Sequence, residues 1–337
     1  MTQRKRIYIA YTGGTIGMMR SEHGYVPAPG FLEKSLRGMP EFYRPEMPEF
    51  DLCEYNPLMD SSDMSPRDWQ RIATDIAKNY DDYDGFVILH GTDTMAYTAS
   101  ALSFMFENLS KPVIVTGSQI PLAALRSDGQ TNLLNALYVA AHFPIAEVGL
   151  FFNHHLYRGN RATKADADGF DAFASPNFEP LLRAGIEIEL IAGKIANIGL
   201  APLKIQEVTA QEIGVVTLYP GMSARIIDSL VTQPVKALII KSFGVGNAPH
   251  QGPLIEAIGN AVQQGIPVLN ITQCFKGTVN MRGYATGNAL ADLGVISGED
   301  MTVEAALTKL HYLLSKNLSG EALANALTES LRGELTC

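Results

Sequence analysis

Cysteine is scarce in this sequence. The 337 residues include three cysteines, Cys53, Cys274 and Cys337, which are an odd number at wide spacing. This spacing fits neither the disulfide framework of a small secreted domain nor the paired ligands of a zinc site. We therefore expect a protein of a reducing compartment, the cytoplasm.

Long apolar runs and dense positive charge are also missing. No apolar segment approaches the ~20 residues that span a bilayer, and a net charge of −9 does not favour binding to nucleic acid phosphates. The basic run Arg4–Arg6 precedes apolar Ile7–Tyr11 and so mimics a signal peptide. Because Thr12–Gly14 interrupts that stretch and no cleavage site follows, we expect a β-strand there. The sequence predicts neither a membrane nor a nucleic acid partner.

Residues at metal-ligand spacing are missing as well. The seven histidines are scattered, and His142, His154 and His155 have no ligand spacing with Asp or Glu. We therefore expect no metal and no cofactor.

Strands that alternate with helices dominate the sequence. Such alternation predicts parallel sheets in an α/β fold, and 337 residues predict two domains. A segment near 186–213 breaks the rhythm, so we predict an N-terminal domain over 1–190, a linker over 191–212 and a C-terminal domain over 213–337. The predicted strands are Ile7–Tyr11, Gly85–His90, Val113–Gly117, Gly149–Phe152, Ile213–Leu218, Val235–Ile240 and Ile266–Ile271. The predicted helices are Ser65–Tyr80, Met95–Leu109, Asp128–His142 and Leu254–Gln264.

A glycine pair follows the first predicted strand, in Thr12-Gly13-Gly14-Thr15-Ile16-Gly17. Ligands of open parallel sheets bind at the carboxyl ends of the strands, so this turn presents Thr15 at a candidate site. A plain turn or a phosphate loop are the alternatives. The phosphate loop lacks its Gly-Lys-Ser/Thr ending, and the G-G-x-x-G spacing departs from the dinucleotide fingerprint.

Hydroxyl and carboxylate side chains recur after the second predicted strand, in His90-Gly91-Thr92-Asp93-Thr94. Capping of the next helix is the simpler interpretation. The recurrence after two strands nevertheless favours an active site built around threonine, in which backbone N–H groups stabilise an oxyanion. Two further polar segments are candidates, Asp60–Asp63 and Tyr157–Lys164. Lys164 contributes only if it is buried beside Thr92 and Asp93.

These segments resemble the signatures of the bacterial-type L-asparaginases. The similarity extends through Thr116–Gln119, Arg126–Gly129, Asn132-Leu133, Ser242–Asn247 and Gly283-Tyr284. Ser62 and the absence of a signal resemble the type I, cytoplasmic branch. The resemblance implies a larger N-terminal α/β domain, a smaller Rossmann-like C-terminal α/β domain, and a homodimer that pairs into a homotetramer.

The resemblance also implies roles for individual residues. Thr15 resembles the nucleophile, and Tyr25 resembles the tyrosine of a loop that closes over the substrate. Thr92, Asp93 and Lys164 resemble a second triad. The substrate's amino-acid end is implied to bind Thr92 and Asp93 together with Ser61 and Ser62. The implied reaction is double displacement on asparagine: Thr15 attacks the side-chain amide, ammonia leaves and water hydrolyses the acyl-enzyme.

Three other functions stay open at the sequence level. Two share the fold: a glutaminase-asparaginase, and an amidotransferase subunit that feeds ammonia to tRNA-linked glutamate. The third is a nucleotide-binding or sensor module without chemistry.

A second, regulatory asparagine site is also implied by some cytoplasmic relatives. Its residues correspond here to Thr163, Lys241, Asn247 and Cys274. This sequence departs from the pattern at Lys241, where those relatives carry an arginine. A lysine offers a point charge in place of a bidentate fork, so we expect a weakened site or none.

Overall fold

The computed structural model describes residues 4–22, 24–192, 201–281 and 285–336. Two compact units divide the chain, residues 1–206 and 207–337. The predicted linker over 191–212 spans this division and stays a prediction, because residues 193–200 lie outside the described part. Gly283-Tyr284 and Cys337 also lie outside it.

The first unit contains fourteen described strands and four described α-helices. The strands are β1 (Arg6–Gly13), β2 (Met18–Ser21), β3 (Gly24–Pro27), β4 (Glu49–Met59), β5 (Gly85–Leu89), β6 (Phe106–Glu107), β7 (Val113–Thr116), β8 (Val148–Phe152), β9 (His155–Arg158), β10 (Thr163–Lys164), β11 (Phe173–Ala174), β12 (Leu182–Ala184), β13 (Ile188–Leu190) and β14 (Lys204–Ile205). The helices are α1 (Phe31–Arg37), α2 (Pro66–Lys78), α3 (Met95–Met105) and α4 (Gly129–His142).

Eight of these strands form one sheet in the order β13-β12-β9-β8-β7-β5-β1-β4. The strands from β4 to β8 are parallel, as predicted for an α/β fold. The pairs β8–β9, β9–β12 and β12–β13 are antiparallel, an extension of the parallel sheet that the sequence did not predict. Short turns join β8 to β9 and β12 to β13, and only antiparallel neighbours can be joined in this way.

The buried strand β1 lies between β4 and β5, which places its carboxyl end beside theirs. Apolar side chains of β1, β5 and β7 pack against α4 in one core that includes Ile9, Val87 and Leu137. Helix α2 begins as predicted: Ser65 N and Oγ both donate to the Asp68 carboxylate, at 2.9 and 2.8 Å. The rigid core therefore fixes the positions of the loops that follow the strands.

Two sequence predictions in this unit were wrong in detail. Helix α3 ends at Met105 and not near Leu109, because Phe106–Glu107 pairs with Lys204–Ile205 as strand β6. The segment near 186–213 is not wholly irregular, because it contains β13 and β14. Strand β14 is two residues long and pairs with β6, which is distant in sequence, while β13 is three residues long and pairs with the nearby β12, so neither strand leaves a clear local pattern.

The second unit has a four-stranded parallel sheet in the order β15-β16-β17-β18. Its strands are β15 (Ile213–Thr217), β16 (Ala237–Ser242), β17 (Val268–Thr272) and β18 (Ile296–Ser297), and its helices are α5 (Arg225–Val231), α6 (Pro253–Gln263), α7 (Ala285–Asp292), α8 (Val303–Ser315) and α9 (Gly320–Thr328). A separate apolar core fills this unit. The two-domain α/β fold predicted from the sequence is confirmed.

Candidate active site

The loop after β1 presents Thr15 at the carboxyl edge of the large sheet. Strand β1 ends at Gly13, and Thr15–Gly17 forms a short 3-10 helix in which Thr15 is half-buried. Gly14 has φ 93°, and a Cβ built on it would lie 2.4 Å from the Gly91 nitrogen. Only glycine permits this approach, so the first glycine turn packs backbone to backbone on the second.

The loop after β5 brings three predicted residues into direct contact. Lys164 Nζ donates to Thr92 Oγ1 at 3.1 Å and to Asp93 Oδ1 at 2.7 Å. Lys164 is thus beside both partners, although its side chain is partly exposed and not buried as the prediction required. The Asp93 side chain remains 62% exposed, whereas that of Lys164 is 22% exposed. The carboxylate is therefore accessible to a ligand, while the lysine is largely enclosed.

Gln119 is a neighbour of Thr92 that sequence reasoning did not single out. Thr92 Oγ1 donates to Gln119 Oε1 at 3.1 Å, and Gln119 Nε2 donates to the carbonyls of Gly169 and Ala167 at 3.0 and 3.3 Å. The signal was available, because Gln119 follows β7 at the same sheet edge. The Asp128 carboxylate accepts from Gln119 N at 2.9 Å, which fixes this loop.

Ser61 and Ser62 follow β4, the outer strand beside β1. Ser61 is buried against the second glycine turn, because a Cβ on Gly91 would lie 2.4 Å from Ser61 Oγ. Thr94 Oγ1 donates to the Ser61 carbonyl at 2.6 Å. Ser62 is exposed, and its hydroxyl donates to Asp60 Oδ1 at 2.8 Å. Four strand ends therefore converge on one region of the first unit.

Tyr25 lies on a hairpin that follows Thr15–Gly17 directly. Strands β2 and β3 pair with Arg20 opposite Tyr25, and the Tyr25 ring is half exposed. The hairpin packs against the 3-10 helix of Thr15. Contact of the Tyr25 hydroxyl with Thr15 stays a prediction.

His90 immediately precedes the second glycine turn and is completely buried. Its Nδ1 lies 2.7 Å from the Gly91 carbonyl oxygen, and its Nε2 lies 2.8 Å from Thr98 Oγ1 on α3. Burial lowers the pKa of His90 to about 4, against the opposing effect of the Gly91 carbonyl. The imidazole is therefore neutral at physiological pH.

The residues of the predicted second asparagine site divide between the two units. Thr163 belongs to β10 of the first unit, opposite Ala174. The other three lie at strand ends of the second unit: Lys241 near the end of β16, Asn247 in a turn closed by its N–H to the Phe243 carbonyl at 2.8 Å, and exposed Cys274 after β17. The arrangement of the four residues as one site stays a prediction.

A polar groove of about 880 Å³ lies elsewhere in the first unit, between β4 and α2. It is lined by Arg67, Arg71, Asp75 and Lys78 among others, and by none of the predicted site residues. No helix in the described part of the chain is long and apolar enough to cross a membrane. Within that part, no group of three His, Cys, Asp or Glu side chains is arranged to hold a metal ion.

Comparison with known proteins gives a consistent result over the whole chain. Residues 6–195 match the N-terminal asparaginase domain, and residues 212–327 match the glutaminase/asparaginase C-terminal domain. The chain is 66% identical to L-asparaginase 1 of Escherichia coli (strain K12) over 99% of each chain. It is 33% identical to a glutamyl-tRNA(Gln) amidotransferase subunit of Pyrococcus abyssi, over 98% of this chain and 76% of that relative.

A solved structure agrees with the sequence comparison. L-asparaginase I from Vibrio cholerae O1 biovar eltor superimposes with a TM-score of 0.95 at 64% identity, covering 99% of this chain and 100% of that one. The two proteins therefore share one fold over their full length, including the strand ends that carry the glycine turns. The family prediction made from those turns is confirmed, and the chain belongs to the asparaginase family.

Proposed function

We propose that this protein is an L-asparaginase, which hydrolyses L-asparagine to L-aspartate and ammonia. The observation that carries the proposal is the contact of Lys164 with both Thr92 and Asp93, beside a glycine turn that presents Thr15. Full-length identity of 66% to L-asparaginase 1 of Escherichia coli supports the same reaction. The amidotransferase function is the weaker alternative, because the identity to that relative is 33%.

In the proposed reaction, Thr15 Oγ1 attacks the side-chain carbonyl carbon of asparagine. The C–N bond breaks, the amide nitrogen takes up a proton and leaves as ammonia, and an ester joins Thr15 to the aspartyl group. Water then attacks the ester, which releases aspartate and restores the hydroxyl. A threonine hydroxyl is a weak nucleophile at neutral pH, so a nearby group must accept its proton.

Two proton acceptors fit this reaction, Tyr25 on its hairpin and Thr92 backed by Lys164. The second has a constraint set by hydrogen bonding. Thr92 donates to Gln119 and accepts from Lys164, and a charged ammonium only donates. Thr92 can therefore pass a proton to Lys164 only when Lys164 is a neutral amine and the Thr92 hydroxyl turns away from Gln119.

Asp93 suits the substrate's ammonium group. Lys164 contacts Oδ1, which leaves the second carboxylate oxygen of an exposed side chain for a charge-assisted hydrogen bond. Anchoring the ammonium would hold the amide carbonyl near Thr15, and Ser61 and Ser62 would bind the remaining amino-acid atoms. Selectivity for the length of the substrate side chain follows from this anchoring.

We also infer a cytoplasmic homodimer that pairs into a homotetramer. Sparse cysteine supports the compartment, and the family resemblance supports the assembly. Light scattering on the purified protein measures the assembly, and a monomer at working concentration would contradict it.

The test of the proposed function is ammonia release from asparagine, with glutamine in parallel. We expect Thr15→Ala to lose at least ~1,000-fold in kcat while it keeps its fold, because only one hydroxyl group is removed. Thr74→Ala, an exposed threonine on α2 of the same unit, is the matched control and should retain activity. A wild-type protein that released no ammonia, but was stabilised by nucleotides, would be a binding module.

A further inference from the structure

The buried side chain of His90 lies two positions before Thr92 in the chain and makes no hydrogen bond to the Thr92 side chain. We propose that His90 is a positioning residue, whose neutral ring fixes the peptide between Gly91 and Thr92 for catalysis. The inference rests on the proposed function, because its readout is turnover of asparagine. Two hydrogen bonds of the imidazole ring support it.

Those two hydrogen bonds determine which ring nitrogen of His90 carries the proton. The Gly91 carbonyl only accepts, so Nδ1 must donate to it across 2.7 Å. In a neutral ring Nε2 is then the acceptor, and it receives the Thr98 hydroxyl proton across 2.8 Å in preference to Met64 Sδ, a weaker acceptor at 3.7 Å. Burial favours this neutral form, consistent with the lowered pKa of the group. Every polar atom of the ring is thus used.

The first of these bonds orients a peptide that includes Thr92. In a trans peptide the C=O and the following N–H point in opposite directions. Holding the Gly91 carbonyl toward His90 therefore turns the Thr92 N–H away from the buried ring. This N–H donates to no acceptor within the described part of the chain, so it remains available to a ligand.

The second bond ties the same ring to a rigid element. Thr98 is completely buried in α3, and its own N–H donates to the Thr94 carbonyl at 3.0 Å. Thr94 in turn donates from Oγ1 to the Ser61 carbonyl. His90 therefore connects the Thr92 turn to the helix that also holds Ser61. A free N–H whose direction is fixed beforehand stabilises developing negative charge without reorganisation during the reaction.

Position-matched variants separate the two nitrogens. His90→Leu removes both hydrogen bonds, whereas His90→Asn keeps an N–H at the level of Nδ1 and can still donate to the Gly91 carbonyl. We expect kcat for asparagine to fall at least ~10-fold in His90→Leu with KM changed less than about twofold, because the loss concerns the transition state. His90→Asn should recover most of that loss. Thr98→Val should have an intermediate effect.

His311 in the second unit is the matched control. It is also buried, burial lowers its pKa to about 4, and its Nδ1 accepts from Gln211 N at 3.1 Å. His311→Leu should reduce the melting temperature as His90→Leu does but leave kcat unchanged. All variants are compared below their melting temperatures, with the folded fraction measured by circular dichroism.

Each outcome of this experiment decides the inference. The inference is supported if wild type is active, if kcat is lower in His90→Leu than in His90→Asn, and if kcat is unchanged in His311→Leu. Equal kcat in wild type and His90→Leu overturns it, as does an equal loss in the Leu and Asn variants or in His311→Leu. If His90→Leu does not fold, Thr98→Val and His90→Asn are compared with wild type, and unchanged kcat in both overturns it. An inactive wild type would instead contradict the proposed function.

Discussion

Both units contain parallel strands, but glycines of similar conformation pack differently in the two units. In the first unit the glycine turns pack backbone against backbone, as Gly14 does on Gly91. In the second unit Gly252 has nearly the same φ as Gly14, 94° against 93°, yet a Cβ on it would meet nothing within 4 Å. Positive φ alone therefore does not mark the site. Close packing of loops that carry hydroxyl and charged side chains distinguishes it.

The largest expected effect is that of replacing Lys164 in the first unit, with Lys236 of the second unit as the control. Lys164→Met removes the donor to Thr92 and Asp93, so we expect kcat to fall at least ~1,000-fold, while Lys236→Met on the exposed surface of the second unit changes it less than about twofold. Adding Lys164→Met to Thr92→Ala should cost little more than either alone, because residues that act together lose their effect together. If the fold-losses in kcat multiply in the double variant, Lys164 and Thr92 act independently, which would contradict the prediction.

The glycine comparison can be tested at matched φ. Gly14→Ala adds both backbone strain and a collision with Gly91, whereas Gly252→Ala adds the strain alone. We expect kcat/KM to fall ~100-fold in Gly14→Ala, because displacement by about 1 Å is costly at a catalytic turn. Gly252→Ala should lose some thermal stability and keep its activity. Similar activity in the two variants would show that the packing at Gly14 is not needed.

Substrate length tests the anchoring role of Asp93. Glutamine has one more methylene group, which moves the amide by about 1.3 Å from an anchored ammonium and should reduce kcat/KM ~100-fold relative to asparagine. Steady-state rates on both amides measure the ratio. Comparable kcat/KM values would overturn the expectation and favour a glutaminase-asparaginase.

One buried histidine in each unit predicts a pH dependence of stability. Burial lowers the pKa of His90 and of His311 to about 4. Below pH ~6.5 the unfolded chain takes up protons that the folded state does not, so the free energy of unfolding falls as pH decreases from ~6.5 to ~4. From pH ~7.5 to ~5.0 the loss is about 2 kcal/mol per histidine, a few degrees in Tm. The check is the decrease in Tm between these two pH values, which should be smaller in His311→Leu than in wild type. An equal decrease in the two proteins would contradict the prediction.

The smallest expected effect is regulation by a second asparagine. Lys241 offers one point charge, so we expect initial rates that are hyperbolic or only slightly sigmoidal in asparagine concentration. If sigmoidal, the curve should become hyperbolic in Thr163→Ala, because Thr163 precedes Lys164 directly. Calorimetry on inactive Thr15→Ala counts bound asparagine, and one per subunit with hyperbolic kinetics excludes the second site.

Sequence patterns predicted the local part of the fold well. Strands β1, β5 and β7 and helices α2 and α4 are continuous apolar or capped segments, so their boundaries agree with prediction within a few residues. The hairpin strands β2 and β3 and the outer strand β4 were not predicted, because they are more exposed and lack a buried apolar run. Their formation depends on neighbours, especially the pairing of β4 with β1.

The sequence by itself determined the family, the two α/β units and the turns that carry Thr15, Thr92 and Asp93, because glycine spacing and strand periodicity are local properties. Only the tertiary structure decided that Lys164 contacts Thr92 across 72 positions, and that Gln119 accepts from the same hydroxyl. Neither contact leaves a periodic signal, since parallel strands join residues far apart in the chain. The role proposed for His90 also depends on the tertiary structure, because its hydrogen bond to Thr98, eight positions along the chain, joins the second glycine turn to α3.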